Sequence, residues 1–180
     1  MFQDIFERSI NENKILSINT YGDSSTWVGY VNSYTTEIVS IKHISKFGRY
    51  DGVISLKVSD IERIDIDDDL CRSISFLHQN EKEIKRLSKM YEEQEVDKTD
   101  YRSVLQECCD KKLLCSIDTK DLYLGCFVLE ITFEEVRILV IDSHGIKDGE
   151  SCVRLEDINF VSYGRLQDIR RLLLYSNNYG

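Results

Sequence analysis

One pattern occurs twice along this chain, and that repeat constrains the fold more than any other feature. Phe2, Ile5, Phe6, Ser9 and Ile10 precede the run Ile15-Leu16-Ser17-Ile18-Asn19-Thr20. Ninety-nine positions later Tyr101, Val104, Leu105, Cys108 and Cys109 precede Leu114-Cys115-Ser116-Ile117-Asp118-Thr119. Downstream landmarks recur as well: Gly29, Asp51-Gly52 and Asp60-Ile61 are answered by Gly125, Asp148-Gly149 and Asp157-Ile158. The offset drifts from 99 to 96 to 97, which needs only small changes of loop length. A repeat of this size in 180 residues is a duplicated small domain rather than a solenoid unit.

Periodicity gives each copy the same contents. Apolar residues at helical spacing predict a helix over 2–12 and another over 101–111, the second capped by Thr99 or Asp100. Short strands follow at 15–20 and 113–119. Strands are then expected around Trp27 to Tyr34 and Leu122 to Glu130, with Gly29 aligned to Gly125. A third strand sets Val39, Ile41 and His43 against Val136, Ile138 and Val140. A fourth alternates Ile54, Leu56 and Val58 with Ser55 and Lys57, matched by Ser151, Val153 and Leu155 with Cys152 and Arg154. The tracts from Asp60 to Ile64 and from Asp157 to Val161 make a turn and a fifth strand.

Between the copies, Leu70, Ile74, Leu77, Ile84, Leu87 and Tyr91 recur at spacings that suit one long amphipathic helix over 69–91. Asp67, Asp68 and Asp69 stand at its start, where the helix dipole favours negative charge. The polar run Glu92 to Lys98 reads as a linker, and Leu166, Ile169, Leu172 and Leu173 form a shorter terminal helix. The expected domains are therefore 1–68, a connecting helix and linker over 69–98, and 99–180.

A leading helix, five short strands, a glycine in the second strand and a turn between the fourth and fifth resemble the Sm-like fold of the Sm, Lsm and Hfq proteins, or another small SH3-like barrel. The resemblance covers about residues 2–66 and 101–163. It implies an α+β, mainly β protein: two tandem five-stranded barrels, each flanked by helices. For the Sm-like group it also implies RNA binding. The residues depart from that group's RNA pocket, which uses an Asp-x-x-x-Asn-like loop and an Arg-Gly pair after strand four. Here the strand-four ends read Val58-Ser59-Asp60 and Leu155-Glu156-Asp157, with carboxylates where amides and a cation are needed. Fold alone does not license function.

Charge sharpens the point. With 23 Lys and Arg against 32 Asp and Glu, the net charge of −9 opposes the counterion-release term that drives nucleic-acid binding. A continuous stripe of Lys42, Lys57, Arg63, Arg137 and Arg154 would reverse that inference. No stretch approaches the roughly 18 apolar residues of a membrane span. The start, MFQDIFERSINENK, has early acids and no apolar run, unlike a secretory signal, so a cytoplasmic location is expected.

Chemical motifs are sparse. The six cysteines (71, 108, 109, 115, 126 and 152) form no CxxC pair and read as small buried residues of a reducing compartment. Asp65-x-Asp67-x-Asp69 begins like a calcium loop, but Leu70 and Phe76 stand where glycine and glutamate are required, so helix capping is the better reading. His43, His78 and His144 lie in no nucleophile motif, and phosphate-loop glycines are missing. The expectation is a non-enzymatic cytoplasmic protein-interaction module (adaptor, inhibitor or immunity-type) with an acidic surface and no cofactor or metal. Its partner is a protein, and its candidate interaction surface comprises Trp27, Tyr30, Tyr34, Glu130, Glu134 and Glu135. The alternatives are an Sm-like RNA-binding protein and a small-ligand sensor.

Overall fold

The computed structural model describes residues 1–93 and 100–180, and it divides them into two compact units, Met1–Glu81 and Lys82–Gly180. In the first unit, α1 (Phe2–Glu12) leads into β1 (Leu16–Thr20), β2 (Thr26–Tyr34), β3 (Ile38–Ile44), β4 (Tyr50–Lys57) and β5 (Ile61–Ile66), and α2 (Asp69–Gln79) follows. The second unit opens with α3 (Glu81–Glu92) and α4 (Tyr101–Asp110). It continues through β6 (Leu114–Thr119), β7 (Tyr123–Ile131), β8 (Glu135–Ile141), β9 (Lys147–Arg154) and β10 (Ile158–Tyr163) to α5 (Leu166–Tyr179). The protein is thus α+β and mainly sheet, and helix, five strands, helix recurs in both units.

Each sheet is antiparallel, and the two have the same order: β4-β3-β2-β1-β5 and β9-β8-β7-β6-β10. The strand after the leading helix lies inside the sheet and is buried on both faces. In the first unit Leu16 and Ile18 pack with Phe6 of α1, while Ile15 packs with Cys71 and Ile74 of α2 on the opposite face. Alternate side chains of an extended chain point to opposite faces, so two helices cover the two faces and every position from Ile15, just before β1, to Ile18 is removed from water. Matching left-handed residues mark matching corners: Asn13 and Lys112 (φ 50° and 52°), and Asp67 and Gly164 (φ 63° and 72°). Gly48 and Gly145 (both φ 75°) also press their Cα atoms against the backbone of α2 and of α5, where a Cβ would collide.

Three expectations are corrected. The first is the Sm-like or SH3-like barrel. After β4 a single 3-10 turn, Val58–Asp60, sends the chain to pair β5 with the far side of β1. Among the described residues β4 pairs only with β3, and no ladder joins β4 to β5, nor β9 to β10, so each sheet stays open. Inward and outward alternation is the same in an open and a closed sheet, so the sequence pattern could not separate them.

The second correction concerns the helix over 69–91, which is two helices. Asn80 caps α2: its backbone N–H bonds to Phe76 O and Leu77 O, and its side-chain amide also donates to Phe76 O at 2.8 Å. An asparagine side chain that competes for helical carbonyls ends a helix readily. α2 belongs to the first unit and α3 falls almost wholly in the second, so α2 is the positional equivalent of α5. The linker expected over Glu92 to Lys98 falls mostly outside the described residues, as does Thr99. Asp100 does cap α4, accepting from Ser103 N at 2.9 Å.

The third correction is one of register. Gly29 does not correspond to Gly125. Leu16 faces Gly29 and Gly29 faces His43, whereas Cys115 faces Cys126 and Cys126 faces Val140. Cys126 therefore occupies the place of Gly29, and Gly125 that of Val28. A Cβ on Gly29 would stand 2.1 Å from Lys42 O; one on Gly125 would instead meet the side chain of Arg171.

Candidate functional site

The β7–β8 hairpin tip is a Thr-anchored turn. Thr132 N bonds to Glu135 O at 2.8 Å, and Glu135 N donates to Thr132 Oγ1 at 3.0 Å. Leu155 N then donates to Glu134 O at 2.8 Å, drawing the end of β9 against the turn. Between them lies a 460 Å³ cleft lined by Phe133, Glu134, Glu135, Arg154, Leu155 and Glu156. Phe133 is 82 % exposed, with the Arg102 guanidinium 5.6 Å from its ring centre. Three carboxylates and the Arg154 guanidinium line the cleft, with Arg102 beside the ring, and Arg154 reaches Glu156 only at 3.8 Å. The cleft presents an aromatic ring beside surplus negative charge.

The first unit builds the same turn with other side chains. Thr35 N bonds to Ile38 O, Ile38 N to Thr35 Oγ1, and Val58 N to Glu37 O. Thr36, Ile38 and Ser59 stand where the second unit has Phe133, Glu135 and Glu156. Identical backbone hydrogen bonding with different surface chemistry makes the acidic aromatic cleft a property of the second unit.

The sequence-chosen residues do not form one surface. Glu134 and Glu135 line the cleft, while Glu130 lies further down β7, accepting from Arg137 at 3.0 Å. Trp27 packs on the α1-side core and meets His43 edge-on at 5.6 Å. Tyr34 packs against Phe6 and donates to Glu7 at 2.8 Å. Tyr30 faces the α2-side core and His78. A register shift between Val31 and Ser33 separates the two tyrosines onto opposite faces. Trp27 also floors an open groove of 560 Å³ with Tyr21, Asp23, Lys57 and Asp60 at its rim. Phe133 and Glu156 were missed because a lone exposed aromatic and a turn glutamate carry no periodic signal.

Three of the five basic residues of the suggested stripe stand beside acids: Arg63 with Asp65, Arg137 with Glu130 and Glu150, Arg154 with Glu156. The aspartates of the calcium-like run face separate cations. Asp67 takes Arg8 and Lys14 at 2.8 and 2.9 Å, Asp69 takes Arg72, and Asp68 between them caps α2 by accepting from Cys71 N. Lys14 and Arg8 hold the Asp67 carboxyl below the usual carboxylate range.

Three of the buried thiols hold their protons. Burial pushes Cys71 up to about 12. Cys108 is raised by its contact with Cys115 and by burial. Cys115 is pulled down by Cys108 but raised overall by Cys126 and burial. His43 Nδ1 donates to Val28 O and His78 Nδ1 to Gly48 O, both at 2.8 Å, so each ring holds a loop or strand in place. No helix among the described residues is long and apolar enough to cross a membrane.

No protein-family model, curated protein or solved structure matches the chain. The Sm-like resemblance is therefore left without support from either the open sheets or the comparisons.

Proposed function

We propose that the chain is a non-enzymatic, cytoplasmic protein-interaction module whose second unit docks a basic segment of a partner protein, as an adaptor, inhibitor or immunity-type protein would. The carrying observation is the cleft in which Glu134, Glu135 and Glu156 surround the exposed Phe133. A lysine or arginine side chain seated there would be flanked by carboxylates and laid against an aromatic face, the combination that cation–π and charge-assisted contacts favour. Exposed aromatics beside polar rims are frequent binding anchors. The divergence from Thr36, Ile38 and Ser59 in the first unit supports a specialised surface, since the turn itself needs none of the three replacements.

The test is fluorescence anisotropy with a labelled extended peptide of alternating Arg and Val, beside a Glu-for-Arg control. Binding that weakens at least tenfold in E134Q/E135Q/E156Q and in F133A, and with added salt, is the expected result. Equal affinity in wild type and variants would reject the site. Capture of the tagged chain with and without nuclease separates the other class: a nucleic acid bound in a salt-dependent way would defeat the reading. The small-ligand alternative rests on the Trp27 groove, which is wide and open, and it ranks second.

A further inference from the structure

Three buried sulfurs meet in the second unit. Cys115 and Cys126 are directly opposed on β6 and β7, and their Sγ atoms lie 3.8 Å apart. Both are fully buried, and Cys108 of α4 is in contact with Cys115 at 1 % exposure. The first unit has Leu16 and Gly29 at the places of Cys115 and Cys126, so the thiol pair is not demanded by the fold.

We infer that Cys115 and Cys126 are an oxidisable pair that closes to a reversible cross-strand disulfide. Directly opposed antiparallel residues have Cα atoms about 4.5–5.5 Å apart, inside the span of roughly 4.4–6.8 Å that a disulfide bridges. Their Cβ atoms, about 4.5–5.5 Å apart in such pairs, must draw together towards the roughly 3.8 Å of a disulfide. The resulting strain makes the bond easy to reduce. In the reaction both S–H bonds break, one S–S bond forms, and two electrons and two protons pass to the oxidant. With a diazene oxidant these go to the N=N bond, giving the hydrazine.

Access is the controlling step. Cys108 and α4 cover the pair, and both Cys108 and Cys115 hold their protons firmly, so the native state presents almost no thiolate to attack. Oxidation therefore follows local opening of α4 from the sheet. The bond would tie β6 to β7, the strand that carries the turn with Phe133 at its far end, so it would stiffen the root of that hairpin.

The experiment treats the native chain with diamide, then denatures, alkylates, digests and maps linked peptides by mass spectrometry. The expected product is a Cys115–Cys126 cross-link that dithiothreitol reverses. It persists in C108S, C109S and C152S, is lost in C126S, and forms faster in urea below the unfolding transition. Mapping on the wild-type chain keeps the test valid if C126S does not fold. Full alkylation of Cys115 and Cys126 after oxidation, or a link from Cys115 to Cys108 instead, would overturn the inference.

Discussion

Ser116 donates its hydroxyl to Asp168 across 2.5 Å, joining β6 to the first turn of α5 with both residues wholly buried. The other carboxylate oxygen of Asp168 accepts from Arg165 N at 3.1 Å, closing the start of the helix. In the first unit the same two positions hold Ser17 and Cys71, so a thiol has been exchanged for an ionisable acid inside a packed interface. Burial raises the Asp168 pKa, with the Ser116 and Arg165 hydrogen bonds and the Arg171 charge acting against it.

Asp168 should give the second unit an inverted pH response. Its folded pKa lies above the unfolded value of about 4, so the folded chain keeps a proton that the unfolded chain has released. The Asp168 contribution is greatest below that unfolded value and is lost as pH rises through the folded one. The difference in urea midpoint between wild type and D168N should therefore shift in favour of wild type as pH falls from neutrality. D168A should cost about 3 kcal/mol because it strands the Ser116 hydroxyl and the Arg165 N–H. A midpoint difference independent of pH would refute the assignment.

Gly125 and Arg171 replace Val28 and Ile74 of the first unit as a matched pair. A Cβ on Gly125 would fall 1.6 Å from Arg171 Nη1, a buried nitrogen with no hydrogen-bond partner among the described residues. G125V should destabilise by about 1–3 kcal/mol, the usual cost of overpacking. The double variant G125V/R171I, which restores the first unit's pair, should recover most of that loss. Additive costs in the double-mutant cycle would show the two sites to be independent.

Gly29 is less forgiving. Its missing Cβ would lie 2.1 Å from Lys42 O, a backbone atom of the paired strand. G29A should cost about 3 kcal/mol, more than G125A, where the obstacle is a side chain that can swing away. Thermal unfolding of the two alanine variants decides the order.

Asp67 should respond to pH in the opposite sense to Asp168. Its carboxyl is held low by Lys14 and Arg8, so the stabilising contribution is present above the unfolded pKa and fades as pH falls through the folded one. NMR titration should place the Asp67 carboxyl below an ordinary aspartate, and K14A should move it up. Added salt should narrow the difference, because the group is exposed.

Phe6 and Phe133 make the contrast between core and surface measurable. F6A removes a ring with no exposure and should cost about 3–5 kcal/mol. F133A removes an 82 % exposed ring and should leave stability within about 0.5 kcal/mol. Chemical denaturation of both variants reads the difference directly.

Much of the fold is legible in the residues. Alternation in β3 and β8 and the helical spacing of Phe2, Ile5, Phe6 and Ile10 follow from local periodicity. The Asp-Gly pairs at 51–52 and 148–149, which favour hairpin turns, instead lie at register shifts inside β4 and β9, and the turns fall at 45–49 and 142–146. Identity of residue type misled where position mattered more: two glycines were aligned although one makes room for a carbonyl and the other for an arginine. The break at Asn80 was hidden because the apolar spacing from Leu70 to Tyr91 continues through it. Of the candidate site, Phe133, Glu134 and Glu135 are consecutive in the chain, but nothing in the sequence placed Glu156 beside them.

By itself the sequence determined a duplicated helix, five-strand, helix unit, because hydrophobic period and turn chemistry are local quantities that neighbouring residues set. Tertiary structure alone decided that the sheets stay open, that β7 sits at an offset of 97, and that Cys115 meets Cys126. Those outcomes depend on which strands exchange hydrogen bonds and which side chains share a volume, and such choices are made between residues distant in the chain.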